Sequence, residues 1–296
     1  MGAPIVVLTS LAALALAVVP AAHGQTLKKV ADADRIVAAY REAAVPFSYL
    51  ISPTKAVGFS VDLTEAIVDE VRRQVKRPQL ALAWVPVTGQ NRIPLLVEGK
   101  VDLECGSTTN TAARGKDVAF SISFFYAGTR MLARKDSGVG AYADLAGKKV
   151  ATVAGSTNEK VMQAYATQHQ IAAQWQPAKD YRDAFESMQS GRAAAMVLDD
   201  VLLYGLRANA EDPASMQVLG EPLQVEPYGC MVRKDDPEFK KLVDRVITKL
   251  MTTGEFTRLY KRWFQSPIPP RGAVIDMPMS AALVQNIQQR SDKPAN

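Results

Sequence analysis

Histidine is almost absent from this sequence. Of 296 residues only two are histidines, His23 and His169. His169 stands in the polar stretch TQHQ at the end of a predicted helix, where we expect it to be solvated. A Ser-His-Asp or Cys-His catalytic centre and a histidine-rich metal site are therefore excluded.

Nucleotide-binding motifs are missing as well. Gly106 and Gly115-Lys116 superficially suggest a phosphate loop, but the glycines are too far apart and Asp117 follows the lysine, so the P-loop spacing fails. No GxGxxG motif opens a helix. The pair Asp199-Asp200 is a poor catalytic pair, because adjacent side chains at a strand end point in different directions. The sequence predicts no catalytic residues, no metal and no cofactor.

Long apolar runs are confined to the N-terminus. Residues 5–19, IVVLTSLAALALAVV, form a run too short for a comfortable membrane span, and it ends at the small residues around Gly24. This pattern is typical of an export signal. Because no lysine or arginine precedes the run, a misplaced start codon or a weak signal is the alternative. We predict that residues 1–24 are a signal peptide and that the mature protein is periplasmic.

Charge of one sign is not concentrated anywhere. The chain has 35 lysine and arginine residues and 30 aspartate and glutamate residues, a formal net charge of +5 at pH 7. The basic residues are scattered among acidic neighbours, without the basic and aromatic runs that nucleic-acid binding requires. We therefore expect no nucleic-acid partner, whereas a mild basic excess suits the attraction of small acids.

Cysteine occurs twice. Cys105 and Cys230 each lie in a predicted apolar strand, VDLEC and YGCMV, and their spacing excludes a zinc site of the CxxC type. An oxidising compartment tends to close such a pair if the two strands are neighbours. We predict a disulfide; two buried free thiols are the alternative.

The sequence does contain an alternation of strand-like runs and amphipathic helical patterns, which predicts α/β layers. In the first series, a helix begins at the capping box Asp62-Leu63-Thr64-Glu65, and the strand 80–87 follows. A second series starts with the strand 128–134 and includes the strand 149–153 and the helix 181–190. Two α/β units of similar size, joined near residues 125–130, are expected.

The C-terminal part of the chain should return to the first unit. A long helix from Pro237 and the amphipathic segment GEFTRLYKRWF need a partner surface. If they pack on the first unit, the chain crosses twice between two lobes, and a cleft between lobes is where small ligands bind. We divide the chain into lobe 1 (25–127 and 228–273), lobe 2 (128–227) and a loosely attached C-terminal tail (274–296).

One segment, VDLECGSTTNTAARGKDVAFSIS from Val101 to Ser123, predicts an anion pocket. An apolar strand runs into Ser107 and Thr109, and Arg114 follows at helical distance. Hydroxyls and free backbone N–H groups at such a junction can accept a carboxylate, and a guanidinium can clamp it. An ordinary polar turn beside a surface arginine is the alternative.

Other candidate binding groups also follow strands. Arg41 and Arg92 come after strands of the first unit, where the loops of an open α/β sheet gather around ligands. In the second unit, Ser156 and Thr157 place hydroxyls at a helix start, for which simple N-capping is the alternative. Asp199 would supply the negative group able to hold an ammonium.

The chain resembles the periplasmic glutamate/aspartate-binding proteins of ABC importers. The resemblance runs from about Leu27 to Pro270, through YREAAVPFSY, GFSVDL, QNRIPLL, DLECGSTTNTAAR, FFYAGTR, SGRAAAMVLDD, YGCMVRKDDPEFKKL and RWFQSPIPP. It implies the type II periplasmic binding protein fold, in which each lobe is a central mixed sheet flanked by helices and two crossover strands form the hinge. It also implies a monomer that binds an acidic amino acid and delivers it to a membrane-embedded permease.

The resemblance also implies roles for individual residues. Ser107, Thr109 and Arg114 would hold the α-carboxylate and α-amino group, Thr157 and Asp199 would close from the other lobe, and Arg41 and Arg92 would hold the side-chain carboxylate. Three guanidiniums and one carboxylate would then face a ligand with two carboxylates and one ammonium.

Two positions depart from the family pattern. Tyr181 stands where the family places a histidine near the side-chain carboxylate, and we expect its phenol to donate one hydrogen bond to the ligand without supplying a positive charge. Gly89 stands where the family often has a serine, so the choice among glutamate, aspartate and related acids stays open. A receptor of the same fold for another polar amino acid or a dicarboxylate is one alternative. A periplasmic dehydratase is another, with Glu104 as the only candidate general acid. A sensor module has no support in the sequence.

Overall fold

The computed structural model describes residues 26–295. Within that range the α-helices are α1 (Thr26–Ala33), α2 (Phe59–Gln74), α3 (Arg92–Val97), α4 (Thr157–Gln168), α5 (Tyr181–Gln189), α6 (Asp200–Ala208), α7 (Pro237–Thr253), α8 (Glu255–Phe264) and α9 (Ala281–Gln289). None of these helices is long and apolar enough to cross a membrane.

The strands of the same range are β1 (Arg35–Tyr40), β2 (Ala43–Ala44), β3 (Ser48–Ser52), β4 (Lys55–Val57), β5 (Ala81–Pro86), β6 (Leu103–Glu104), β7 (Val118–Phe120), β8 (Phe125–Arg134), β9 (Lys149–Val153), β10 (Gln174–Ala178), β11 (Ala195–Asp199), β12 (Met216–Leu219), β13 (Val225–Tyr228) and β14 (Met231–Arg233). A short 3₁₀ turn, Arg114–Lys116, lies between β6 and β7.

The first sheet combines strands from both parts of the chain. Its order is β5-β1-β6-β14-β7. Strand β1 is parallel to both β5 and β6, whereas β14 is antiparallel to β6 and β7. The late strand β14 thus completes a mixed sheet that the early strands begin.

The second sheet has the order β10-β9-β11-β8-β12. Strands β9, β10 and β11 are parallel, and β8 is antiparallel to β11 and β12. The first half of β8 pairs instead with β13, so the two chain segments that connect the sheets run side by side. The predicted α/β class with two mixed sheets flanked by helices is therefore confirmed.

An aromatic cluster fills the junction between the two sheets. The ring centroid of Phe47 lies 5.0 Å from that of Phe125 and 5.5 Å from that of Phe264. Phe47, Phe59 and Phe264 are fully buried. Burial of each such ring contributes about 1.5–3 kcal/mol, so the cluster stabilises the junction of the two lobes.

Helix α2 begins earlier than the capping box predicts. Its first residue is Phe59, with Gly58 at the N-cap and a φ of 139° that favours glycine. A Cβ on Gly58 would lie 2.2 Å from the Phe47 carbonyl oxygen. The box residue Asp62 is instead inside the helix, where its carboxylate accepts from Trp263 Nε1 at 2.7 Å.

The last residues are not a loosely attached tail. Leu283 in α9 is 1% exposed, and Asn286 Nδ2 donates to the Ser123 carbonyl at 2.7 Å. Asn110 Nδ2 donates to the Asp292 carbonyl at 2.7 Å. The expectation was wrong because a few well-placed apolar and amide side chains are enough to anchor a polar segment.

Cys105 and Cys230 form the predicted disulfide. Their strands are neighbours, since Met231 pairs with Glu104. The bridge closes a sequence separation of 125 residues, which in the chain-entropy description stabilises a fold by about 4–5 kcal/mol. The alternative of two free thiols is wrong.

Candidate ligand-binding site

A narrow polar cavity lies between the two lobes. Its lining consists of Arg41, Gly89, Arg92, Ser107, Thr109, Arg114, Val153, Ser156, Thr157, Asn158, Tyr181 and Asp199. All eight side chains that the sequence marks as ligand contacts are therefore brought together at one cavity. Their part in binding remains a prediction.

The first lobe presents its groups at the carboxyl ends of its strands. Arg41 directly follows β1, and Ser107 and Thr109 lie in the turn after β6. Arg92 is the first residue of α3, which follows β5. Since β5, β1 and β6 are parallel neighbours, their ends meet at one edge of the sheet, where ligands of α/β folds bind.

The second lobe contributes helix starts and a strand end. Ser156 is the N-cap of α4, and its Oγ accepts from Glu159 N at 3.2 Å, so the capping alternative holds for this residue. Thr157 follows it and turns to the cavity. Tyr181 opens α5, and Asp199 ends β11.

Direct contacts join the two lobes across the cavity. Ser107 Oγ lies 3.1 Å from the Tyr181 hydroxyl, and Thr109 Oγ1 lies 3.3 Å from Thr157 Oγ1. Arg114 Nη2 donates to the Gly155 carbonyl at 3.2 Å. The lobes are thus closed on each other around the site.

Gly89 allows part of this close approach. A Cβ on Gly89 would lie 2.7 Å from the Ala154 carbonyl oxygen, closer than side chains come to backbone. A Cβ on Gly155 would in turn lie 2.9 Å from the Gly89 carbonyl oxygen. The departure from the serine of the family pattern therefore brings the backbones of the two lobes together.

One end of the cavity contains unsatisfied positive charge. Arg41 and Arg92 are each 3% exposed, and Arg41 Cζ lies 4.6 Å from the Tyr181 ring centroid. Within residues 26–295, Arg41 Nη1 and Arg92 Nε have no hydrogen-bond partner. Burial, with Arg114 and Arg41 nearby, lowers the pKa of Arg92. Because buried unpaired charge is costly, this end favours an anion.

The opposite end contains a partnered carboxylate. Asp199 is 2% exposed, and its Oδ2 accepts from the Tyr228 hydroxyl at 2.6 Å. Its Oδ1 accepts from Asn158 Nδ2 at 2.8 Å. Burial and the neighbouring Glu226 carboxylate raise the pKa of Asp199. A protonated amine at this end would favour the ionised form.

The lining contains the three guanidiniums and the one carboxylate of the expected charge count, and two more carboxylates, Glu104 and Glu226, lie close behind it. Burial raises the pKa of Glu104, while Arg92 and Arg41 lower it, and its Oε1 accepts from Thr108 Oγ1 at 3.1 Å. Glu226 accepts from Thr157 Oγ1 at 2.9 Å. Sequence reasoning named Glu104 only as a candidate general acid and missed Glu226, for which the available signal is a lone acidic residue in the apolar strand VEPYGC.

Residues 26–295 contain no group of three or more histidine, cysteine, aspartate and glutamate side chains that could hold a metal ion.

Two α/β lobes that close on a charged cavity define the type II periplasmic binding proteins. A crystal structure of a mutant of ArgBP from T. maritima superimposes on this chain with a TM-score of 0.70 and 28% sequence identity. The match covers 81% of this chain and 99% of that chain. The predicted fold is confirmed.

Sequence comparison identifies relatives of this chain within the type II periplasmic binding proteins. The chain is 41% identical over 275 residues to the glutamate/aspartate import solute-binding protein of Escherichia coli (strain K12), covering 93% of this chain and 91% of that protein. It is 43% identical over 271 residues to the L-glutamate/L-aspartate-binding protein of Pseudomonas aeruginosa (strain PAO1), covering 91% and 90%. The model of the bacterial extracellular solute-binding proteins, family 3, matches residues 36–266, and the chain belongs to this family.

Proposed function

We propose that this protein captures an acidic amino acid, glutamate or aspartate, between its lobes and delivers it to the membrane-embedded permease of an ABC importer. The observation that carries the proposal is a cavity lined both by Arg41 and Arg92, each with a nitrogen that lacks a partner within residues 26–295, and by the Asp199 carboxylate. The names of the relatives from E. coli and P. aeruginosa, each more than 40% identical, support the same ligands.

The charges of the lining match such a ligand. Arg41 and Arg92, with the Tyr181 hydroxyl, receive the side-chain carboxylate. Arg114 and Ser107 receive the α-carboxylate. Asp199, with the hydroxyls of Thr109 and Thr157, receives the ammonium. Each of these charge-assisted hydrogen bonds contributes about 1.5–3 kcal/mol.

Closure of the lobes accounts for capture and release. The two crossing segments, which pair as β8 and β13, serve as the hinge between lobe 1 (25–127 and 228–273) and lobe 2 (128–227). Contacts from both lobes to one ligand shift the population toward the closed form, which the permease then recognises. The protein acts as an exported monomer; its signal peptide, residues 1–24, lies outside the described residues.

Binding without turnover is part of the proposal. The dehydratase alternative requires a general acid in the cavity, and Glu104, the candidate named from the sequence, is fully buried and absent from the cavity lining. The observed arrangement gives no second candidate function.

Calorimetric titration of the wild-type protein with glutamate, aspartate, glutamine and asparagine tests this function. We expect one or both acids to bind, with their amides at least about tenfold weaker, because an amide cannot satisfy two buried guanidiniums. Preference for an amide, or consumption of a prephenate-like compound, would overturn the proposal.

A matched pair of variants tests the site. Arg114→Ala should weaken binding by about tenfold or far more, because it removes a partly buried cationic partner of the ligand. Arg245→Ala, at an exposed position on α7, should leave affinity unchanged. Near-unchanged affinity of the Arg114 variant would remove that residue from the site.

A further inference from the structure

Glu226 is a buried carboxylate directly behind the cavity. It lies on β13, one of the two strands that connect the lobes, and none of it is exposed to solvent. It does not line the cavity. Its two oxygens contact one hydroxyl from lobe 2 and one from the other crossing strand: Oε2 accepts from Thr157 Oγ1 at 2.9 Å, and Oε1 accepts from Thr129 Oγ1 at 3.3 Å.

The hydrogen bonds around Glu226 have a defined direction. An ionised carboxylate can only accept hydrogen bonds, so Thr157 and Thr129 each donate their single hydroxyl hydrogen to Glu226. Thr129 Oγ1 in turn accepts from Asn158 Nδ2 at 2.8 Å. The same Asn158 nitrogen donates to Asp199. A continuous chain of donors therefore connects the two carboxylates.

This direction extends across the cavity to lobe 1. Thr109 Oγ1 lies 3.3 Å from Thr157 Oγ1. Because the Thr157 hydrogen is already committed to Glu226, Thr157 can only accept in this pair, and the Thr109 hydrogen is directed either to Thr157 or to Glu226 itself. Each threonine oxygen then has only lone pairs left for a ligand. The two hydroxyls, which could otherwise donate or accept, become acceptors.

We infer that Glu226 is a positioning residue that fixes the Thr109 and Thr157 hydroxyls as acceptors, so that the Asp199 end of the cavity selects a protonated amine over an acid that lacks one. The inference rests on the proposed function and deepens it. Hydroxyl oxygens that act only as acceptors suit an ammonium and would repel a carboxylate.

The charged and titratable groups around Glu226 are compatible with this role. Burial raises the pKa of Glu226, whereas the threonine hydroxyls and the Arg114 guanidinium lower it. Asp199 and the Tyr228 hydroxyl face the same region from β11 and β13. The hydroxyl bonds and Arg114 thus help to keep the carboxylate in the accepting form.

The test compares two ligands that differ only in the amine. L-Glutamate and glutarate are titrated calorimetrically into wild-type protein and into Glu226→Gln. A glutamine amide donates as well as accepts, so it cannot fix both threonine hydroxyls as acceptors. The ratio of the glutarate Kd to the L-glutamate Kd should therefore fall by about tenfold or more in the variant, most of it from weaker L-glutamate binding.

Asp236→Asn is the matched control. Asp236 is a buried carboxylate outside the cavity lining that accepts from backbone Thr26 N at 2.7 Å and Phe239 N at 3.1 Å. Its variant should keep the wild-type ratio. If Glu226→Gln does not fold, Glu226→Asp, which keeps the charge but shortens the side chain and so draws the carboxylate away from Thr157, should shift the ratio in the same direction.

The outcomes separate this inference from the proposed function. Wild-type protein that binds L-glutamate, with a variant that loses L-glutamate and glutarate affinity by equal factors or keeps both, overturns the inference alone. Wild-type protein that binds no acidic amino acid overturns the proposed function, and the inference with it.

Discussion

The two ends of the cavity differ in how well their charges are satisfied. At one end, both Asp199 oxygens have donors, Tyr228 at 2.6 Å and Asn158 at 2.8 Å. At the other end, Arg41 and Arg92 are equally buried, yet each has a nitrogen without any partner within residues 26–295. Asp199 and the two arginines are therefore similarly buried, but only Asp199 has a hydrogen-bond partner for each polar side-chain atom.

The difference indicates which charges serve the fold and which await a ligand. A satisfied buried network stabilises the folded state whether or not a ligand is present. At the other end two buried guanidiniums face the one carboxylate of Glu104 and keep nitrogens without a partner within residues 26–295, so an incoming anion gains hydrogen bonds and compensates the remaining positive charge. Substitutions at the two ends should consequently have different effects on stability.

The largest effect is expected at the guanidinium end. Arg92→Met should weaken glutamate binding by about 30-fold or more, because one partner of the ligand carboxylate is lost. The stability of the ligand-free protein should stay unchanged or rise, since a costly buried charge is replaced by an apolar chain of similar length. Calorimetry and denaturant unfolding measure the two quantities.

An Arg92 variant that unfolds more easily by about 2 kcal/mol or more would break the comparison, because it would place Arg92 among the residues that hold the fold together. Arg245→Ala on the exposed face of α7 serves as the control for the loss of one positive charge.

At the carboxylate end, affinity and stability should fall together. Asp199→Asn places an amide where two donors converge. Glutamate affinity should fall by about tenfold, and the free energy of unfolding should fall by about 1–3 kcal/mol. Ligand titration and denaturant unfolding of the same preparation check this. Reduced affinity at full stability would mean that the donors around Asp199 do not support the fold.

The pH dependence of binding sharpens the same contrast. Burial and Glu226 raise the pKa of Asp199, so ligand-free protein takes up a proton there at higher pH than free aspartate does. An ammonium favours the ionised form, and binding therefore releases protons. Glutamate affinity should fall severalfold as the pH decreases from about 8 to about 5, with a shallower slope in Asp199→Asn.

Titration calorimetry at several pH values measures this slope. The groups that face Asp199 are Glu226, Tyr228 and Asn158, together with Asp200 on the adjacent helix. Affinity that is constant or increases toward low pH would contradict an ammonium site at Asp199.

The smallest effect on affinity is expected behind the site, where the C-terminal segment contacts the turn that carries Ser107 and Thr109. Asn110→Ala removes the bond to the Asp292 carbonyl and should cost about 1 kcal/mol of stability. Glutamate affinity should change less than about threefold, because Asn110 N still donates to the Pro227 carbonyl at 2.7 Å and holds the turn. A loss comparable to that of Arg92→Met would make the C-terminal segment part of the site.

Periodicity and strand ends were enough to predict both sheets and the gathering of Arg41, Arg92 and Arg114 at one place. Parallel strands deliver the residues that follow them to a common edge, so spacing along the chain translates into proximity. The start of α2 could not be predicted in this way, because it depends on the contact between Gly58 and a distant carbonyl.

Glu226 was missed, and the parts played by Glu104 and Gly89 were not foreseen, for a related reason. Glu104 and Glu226 lie within short apolar strands, where sequence alone does not distinguish a structural acid from one behind a cavity. Gly89 carries no side chain at all, and its effect arises only when the two lobes meet. Pairing of the second lobe with the first is a property of the tertiary fold.

A crystal structure of the complex with L-glutamate tests the central claim most directly. The account predicts the side-chain carboxylate within hydrogen-bonding distance of Arg41 or Arg92, and the ammonium against Asp199 and the two threonine hydroxyls. A ligand bound in the reverse orientation, or outside this cavity, would contradict it.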